Sequence, residues 1–251
     1  MTATVYPNRQ ALSAAAANRI EEVIESALQA RAHASVCLTG GATARDVYKD
    51  IAAQDRRARR IAWNQVRIFW GDERDVPPDH PDSNYGMAAA ALLAHVPINP
   101  SCVHRIPADG RNADAAARAY QATLQHMVFG SRTDHAFDLV LLAIGSDAHI
   151  ASVFPGGAEL DARPDQRVLA VPAVPDRGRR ITLTPATLLD ARRILVIASG
   201  TDKADAVHAA FSRPEDVARW PAQILRRAGD RVEWLMDSSA DGRSPAAPPS
   251  R

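Results

Sequence analysis

The chain alternates between short apolar runs and longer stretches in which apolar residues return every three or four positions. Arg9 to Ala30 carries Leu12, Ala16, Ile20, Val23, Ile24 and Leu28 at that spacing and predicts an amphipathic helix. Ser35 to Leu38 is a short apolar run that stops at Thr39-Gly40-Gly41, the pattern of a strand ending in a tight loop. Thr43 to Ala53 returns to helical spacing, and Val66 to Trp70 is a second strand that stops at Gly71. Asp75 to Asp82 holds three prolines and predicts a loop. Ser83 to Ala94, capped by Ser83 or Asp82, and Ala113 to Val128 predict helices.

Asp138 to Ile144 is apolar enough to be buried on both faces of a parallel sheet. Arg167–Val171, Ile181–Leu183, Ile194–Ala198 and Val232–Met236 read as further strands, and Asp202 to Phe211 as a helix. Strands alternating with helices predict an α/β fold. The expected form is a doubly wound, mostly parallel, Rossmann-like three-layer sheet with helices on both faces. Residues 1–237 read as a single domain without internal repeats. Ser238 to Arg251 is small, polar and proline-rich and predicts a disordered tail.

Composition narrows the function class. The formal net charge is +1, with 46% apolar and 24% charged residues, so neither nucleic acid nor a membrane surface is an expected partner. No apolar stretch approaches the roughly 18 residues of a membrane span. The N-terminus lacks the layout of a signal peptide, and a cytoplasmic location is the expectation. The two cysteines, Cys37 and Cys102, sit in no metal-ligand spacing, so neither a disulfide framework nor a zinc site is expected.

The chemistry collects where strands end. Thr39-Gly40-Gly41-Ala42-Thr43 opens a helix, and paired glycines there let backbone N–H groups approach an anion. They also serve any tight turn. Gly71-Asp72-Glu73-Arg74 places Arg74 where it can grip phosphate or carboxylate, or can simply face solvent. Gly145 to His149 sets Asp147 two residues before His149, a candidate general base or a helix cap. Lys203 follows Gly200, and Arg179 and Arg180 precede a short strand, one of them expected to face a ligand. Together these loops describe a pocket for a small phosphorylated metabolite with a base at its other end.

Several segments carry a resemblance: TGGAT from Thr39, FWGDERDVPPDHPDSNYG from Phe69, LLAIGSDAHIASVFPGG from Leu141, RRITLTPATLLDARRILVIASGTDKADAV from Arg179 and WLMD from Trp234. In that order they resemble the 6-phosphogluconolactonases. The related glucosamine-6-phosphate deaminases typically have Met-Asp-Glu-Tyr where this chain has Gly71 to Arg74, and end the histidine loop in Asn-Glu-Pro-Gly. The resemblance implies hydrolysis of 6-phospho-D-glucono-1,5-lactone without metal or organic cofactor. His149 would activate water, Asp147 would orient His149 and favour its charged form, and Asp72 would contact the sugar or support Arg74. Gly40, Gly41, Thr43, Arg74, Arg180 and Lys203 would hold the phosphate. A deaminase-type sugar-phosphate enzyme and a non-catalytic sugar-phosphate sensor are the alternatives. The chain departs from the family at three places. Ala148 replaces a glycine that, at positive φ, would cost alanine on the order of 1 kcal/mol and endanger the placing of His149. Ile150 replaces a threonine, and Ala42 removes a hydroxyl from the phosphate loop.

Overall fold

The computed structural model describes residues 1–58, 61–130, 134–174 and 177–242. Its elements are β1 (Thr2–Tyr6), α1 (Arg9–Arg31), β2 (Ala34–Leu38), α2 (Ala42–Ala58), β3 (Val66–Trp70), β4 (Asp72–Arg74), α3 (Asn84–Ala91) and α4 (Ala113–Leu124). They continue with β5 (Phe137–Ala143), β6 (Val168–Val174), β7 (Gly178–Leu183), α5 (Pro185–Leu189), β8 (Ala191–Ala198), α6 (Ala204–Ser212) and β9 (Val232–Asp237). Six strands form one parallel sheet in the order β1-β9-β8-β5-β2-β3. β5 at its centre has six consecutive buried residues, so both faces of the sheet are covered, as its apolar run requires. The expected α/β architecture is therefore present.

Three readings of the sequence need correction. Thr2–Tyr6, left unassigned, is an edge strand paired with β9. Its alternation of small, polar and apolar residues leaves most of it exposed, which hides it from a search for apolar runs. Asp72-Glu73-Arg74, read as a loop, is a strand, and with β7 and β6 it builds a separate antiparallel sheet. The strands expected at Arg167–Val171 and Ile181–Leu183 belong to this smaller sheet. Gly71 joins the two sheets: its N–H donates to the Leu38 carbonyl at 2.9 Å and its carbonyl accepts from Leu183 N–H at 2.8 Å.

The third correction concerns the C-terminus. Ser238 N–H donates to the Tyr6 carbonyl at 2.8 Å, its hydroxyl donates to the Pro7 carbonyl at 3.0 Å, and Ala240 is fully buried. Ser238 to Gly242 is thus part of the fold, because Asp237 organises it. The Asp237 carboxylate accepts from Ser239 Oγ at 2.6 Å and Ala240 N–H at 2.9 Å. The rest of the expected tail, residues 243–251, lies outside the described residues. Among the described residues, no helix is long and apolar enough to cross a membrane.

Two buried tyrosines fix the strand ends on which the site is built. Tyr48 of α2 donates its hydroxyl to the Thr39 carbonyl at 2.7 Å and accepts the Thr39 N–H at 3.0 Å. Tyr120 of α4 does the same for Trp70, at 3.1 and 2.9 Å. Each satisfies a donor and an acceptor at the point where the chain leaves β2 or β3. Burial pushes both phenols well above their ordinary range, so both stay neutral.

Ending the chain after Asp237 should lower Tm relative to ending it after Gly242. The lost bonds are worth roughly 1 kcal/mol each, and a domain of this size loses about 2–4 °C per kcal/mol. Thermal unfolding of the two truncations checks this, and equal melting temperatures would contradict it.

Candidate active site

The Thr39-Gly40-Gly41 loop turns directly into α2, so the first N–H groups of that helix have no partner within it. They face the cavity lined by Gly40, Gly41, Ala42 and Thr43. Gly40 is required by a close approach: a Cβ there would come within 1.9 Å of Asn84 Oδ1. Asn84, in turn, donates Nδ2 to the Asp72 carbonyl at 3.0 Å and to Asp72 Oδ1 at 3.2 Å.

The small sheet delivers the arginines. Arg74 and Arg180 are register partners across the β4–β7 ladder, which sets two guanidinium groups side by side. Burial and the charge of Arg74 together pull Arg180 below its ordinary range. Like charges directly opposite one another on a ladder are unfavourable, and a bound anion offsets that repulsion. Each arginine is steadied by a carbonyl: Arg74 Nη1 donates to Asp82 O at 2.5 Å, and Arg180 Nε to Arg177 O at 2.7 Å. Arg179 points elsewhere, 3.4 Å from Asp75 and half exposed, so Arg180 is the member of the pair that reaches the cavity.

Glu73 and Asp72 hold this corner together. The buried Glu73 carboxylate accepts the N–H groups of Arg74, Asn84 and Tyr85 and the Ser83 hydroxyl at 2.7–3.0 Å. It ties the start of α3, where Ser83 is the cap, to β4. Asp72 commits Oδ2 to the Ser152 hydroxyl at 2.7 Å and Oδ1 to Asn84. Arg74 donates to the Asp82 carbonyl, while the Asp72 carboxylate is engaged by Ser152 and Asn84.

The histidine loop follows β5. Gly145 N–H donates to the His149 carbonyl at 2.9 Å, and Ala148 N–H to the Gly145 carbonyl at 3.0 Å, which folds the segment into a tight turn. A Cβ on Gly145 would lie 2.0 Å from His149 Nδ1, so only glycine leaves room for the imidazole. His149 Nδ1 sits 2.5 Å from Asp147 Oδ1, and Arg177 Nη2 donates to Asp147 Oδ2 at 2.7 Å. Burial works against ionising Asp147. The His149 ring, the His149 N–H at 3.2 Å and the Arg177 charge outweigh it and hold the carboxyl well below its ordinary range. An ionised Asp147 accepts a proton-bearing Nδ1, which leaves Nε2 as the basic nitrogen of the ring.

The departures around His149 are absorbed by packing. Ala148 does take a positive φ, +64°, but its methyl is fully buried. Burying a methyl-sized group is worth about 0.8 kcal/mol, close to the strain. Ile150 is fully buried and bridges Ile144 and Val153, so it anchors the loop in the core and leaves the cavity lining to its neighbours.

All nine residues singled out from the sequence line one cavity of about 600 Å³: Gly40, Gly41, Thr43, Asp72, Arg74, Asp147, His149, Arg180 and Lys203. Lys203 is paired with Asp202 at 2.8 Å. Asn84, Arg177, Ser199 and Arg9 are among the lining residues that the sequence does not single out. Asn84 lies in a segment that reads as plain helix, and Arg177 in a stretch between two expected strands that carries no motif. Ser199 precedes the Gly200 turn, where Asp237 accepts its hydroxyl. Arg9, paired with Asp46 at 2.7 Å, enters at the end of β1. Recognising that strand would have placed Arg9 at the same sheet edge as the others. Among the described residues, no cluster of three or more His, Cys, Asp or Glu side chains is arranged to hold a metal ion.

Residues 7–234 match the family described as glucosamine-6-phosphate isomerases/6-phosphogluconolactonase. The chain belongs to this family. Among its relatives, 6-phosphogluconolactonase of Mycobacterium tuberculosis is 35% identical over 96% of this chain and 98% of its own. That of Nostoc sp. is 33% identical over 95% and 96%. The solved structure of 6-phosphogluconolactonase from Trypanosoma brucei is 29% identical and superposes with a TM-score of 0.81, covering 96% of this chain and 98% of that one. A monomeric glucosamine-6-phosphate deaminase shares the fold at a TM-score of 0.79, with 23% identity and 96% and 98% coverage. The family's fold thus accommodates both chemistries, and only the loops at the sheet edge can separate them.

Ala148→Gly should leave stability within about 1 kcal/mol of wild type. Relief of left-handed strain of about 1–2 kcal/mol is opposed by the lost methyl burial and the backbone entropy of glycine. Denaturant unfolding measures the balance. A gain well beyond that range would mean the buried methyl contributes little.

Proposed function

We propose that this chain hydrolyses 6-phospho-D-glucono-1,5-lactone to 6-phospho-D-gluconate. The observation that carries the reading is the cavity itself. It combines an Asp147–His149 pair with a helix N-terminus and the cations Arg74, Arg180 and Lys203, in a volume suited to a sugar phosphate. The names of the full-length relatives point the same way.

In this reading the phosphate lies against the N-terminus of α2, with Thr43, Arg74, Arg180 and Lys203 around it. Anchoring a remote group in this way positions the lactone carbonyl without needing further contacts at the reacting carbon. A water molecule gives a proton to His149 Nε2 as its oxygen bonds to the carbonyl carbon. Asp147 stabilises the imidazolium that forms. The tetrahedral intermediate then collapses, the bond from C1 to the ring oxygen breaks, and His149 returns the proton to that oxygen. The product acid ionises to the carboxylate. Asp72 serves as a positioning residue, since both its oxygens are bound to Ser152 and Asn84. A lactone is an activated ester, so one general base, worth typically 10²–10⁴-fold, is proportionate to the task.

With fresh lactone, wild type should release acid faster than the spontaneous reaction, and His149→Ala should lose about 10²–10⁴-fold in kcat. Absence of acceleration by wild type would defeat the activity, and ammonia release from glucosamine 6-phosphate would replace it with the deaminase chemistry. An unimpaired His149→Ala would defeat the mechanism alone.

Arg74→Ala should raise KM for the phosphorylated lactone by about tenfold or more, as expected for losing a charge-assisted contact. It should leave hydrolysis of unphosphorylated gluconolactone nearly unchanged. Equal losses on the two substrates would remove Arg74 from the phosphate site.

A further inference from the structure

Arg177 lies in the turn between β6 and β7, outside every segment that carries the family resemblance. Its guanidinium donates to the Asp147 oxygen that His149 does not use, at 2.7 Å, and stands 4.5 Å over the Phe154 ring. Phe154 packs 4.9 Å from the His149 ring. The contacts close a circuit: His149 to Asp147, Asp147 to Arg177, Arg177 to Phe154, and Phe154 back to His149. The Arg177 carbonyl also accepts from Arg180 Nε at 2.7 Å, which links this circuit to the cationic end of the cavity.

Resting on the lactonase reading above, we infer that Arg177 is a positioning residue for the hydrolysis, fixing the Asp147 carboxylate against His149 and sharing that carboxylate's charge. A carboxylate alone beside a histidine favours the imidazolium, and an imidazolium cannot take a proton from water. A guanidinium on the second carboxylate oxygen offsets that pull. It also prevents the carboxylate from rotating away from Nδ1, and its stacking holds Phe154 against the imidazole ring. The result is a base oriented by a carboxylate whose charge is shared with a guanidinium.

The other charges in the cavity come from every element around it. Arg9 of α1, Arg74 of β4, Arg180 of β7 and Lys203 before α6 are positive, while Asp72 of β4 and Asp202 before α6 are negative. All of them are common to wild type and to an Arg177 variant. A comparison of the two therefore isolates the contribution of Arg177. Asp147 stays ionised through the working pH range in either case, so it is the charge on His149 that responds.

The test titrates the His149 imidazole by NMR and measures the pH profile of kcat/KM in wild type, Arg177→Gln, Arg177→Lys and Arg179→Gln. Removing the guanidinium should raise the His149 titration midpoint and the acid limb of the profile together, by on the order of one pH unit. Below both midpoints, kcat/KM should fall about tenfold relative to wild type, following the lost fraction of free base. Arg177→Lys keeps the charge and should restore most of the wild-type profile. Arg179→Gln alters the neighbouring arginine outside the cavity and should leave both readouts unchanged. An unmoved His149 midpoint in Arg177→Gln, or an equal shift in Arg179→Gln, would overturn the role. A wild type without lactonase activity would overturn the reaction assigned to the site, and the NMR titration reads the coupling of Arg177 to His149 independently of that result.

Discussion

Six strands running the same way must end on the same edge, and the rest of this molecule follows from that constraint. β1 leads to Arg9, β2 to the Gly40-Gly41 turn, β3 through Gly71 to Asp72 and Arg74, β5 to Gly145 and His149, and β8 to Ser199 and Lys203. β9 contributes from behind: Asp237 accepts the Ser199 hydroxyl at 2.5 Å and the Gly200 N–H at 3.3 Å. No one loop is long enough to build a pocket. Parallel pairing assembles them, because crossing helices return each strand in the same direction and the carboxyl ends converge. The tyrosine clamps on Thr39 and Trp70 then fix where two of those ends begin to turn.

How much of this was legible in the sequence follows from what each feature depends on. Apolar runs that stop at glycine were readable, since burial on both faces demands continuous apolar residues and the exit demands a tight turn. His149, Asp147, Arg74 and Lys203 were found because they follow closely on such runs, and Arg180 because it stands directly before one. β1 and β4 were not, for opposite reasons. Thr2–Tyr6 is an exposed edge strand with little apolar character. Asp72-Glu73-Arg74 is charged yet largely buried, and it is a strand because Glu73 finds four donors that only the folded chain provides. Arg177 belongs to the same class. In sequence it is one of several polar turn residues, and its partners Asp147 and Phe154 lie far away along the chain. The replacement of glycine by Ala148 was readable as a cost, but its compensation was not. That compensation needed the knowledge that the methyl is completely enclosed.

The site is electrically divided, and the division bears on which chemistry the fold supports. At one end, Arg74 and Arg180 face each other across a ladder with carbonyl groups as their hydrogen-bond partners, and Arg180 is destabilised in its charged form. That end stores repulsion, and in the proposed reading the phosphate of the substrate relieves it. At the other end, Asp147 and Arg177 neutralise each other next to His149. In the proposed reading this suits a neutral water and a neutral lactone carbonyl, neither of which gains from a strong resident charge before the reaction begins. In that reading, the charge needed in the transition state is made there, as the imidazolium opposite an ionised Asp147. Since the deaminase neighbour shares the sheet and its topology, the sheet cannot be what selects the reaction. In the proposed reading, the selection lies with side chains on β4, β7 and the two loops beside them, which divide the charge along the cavity.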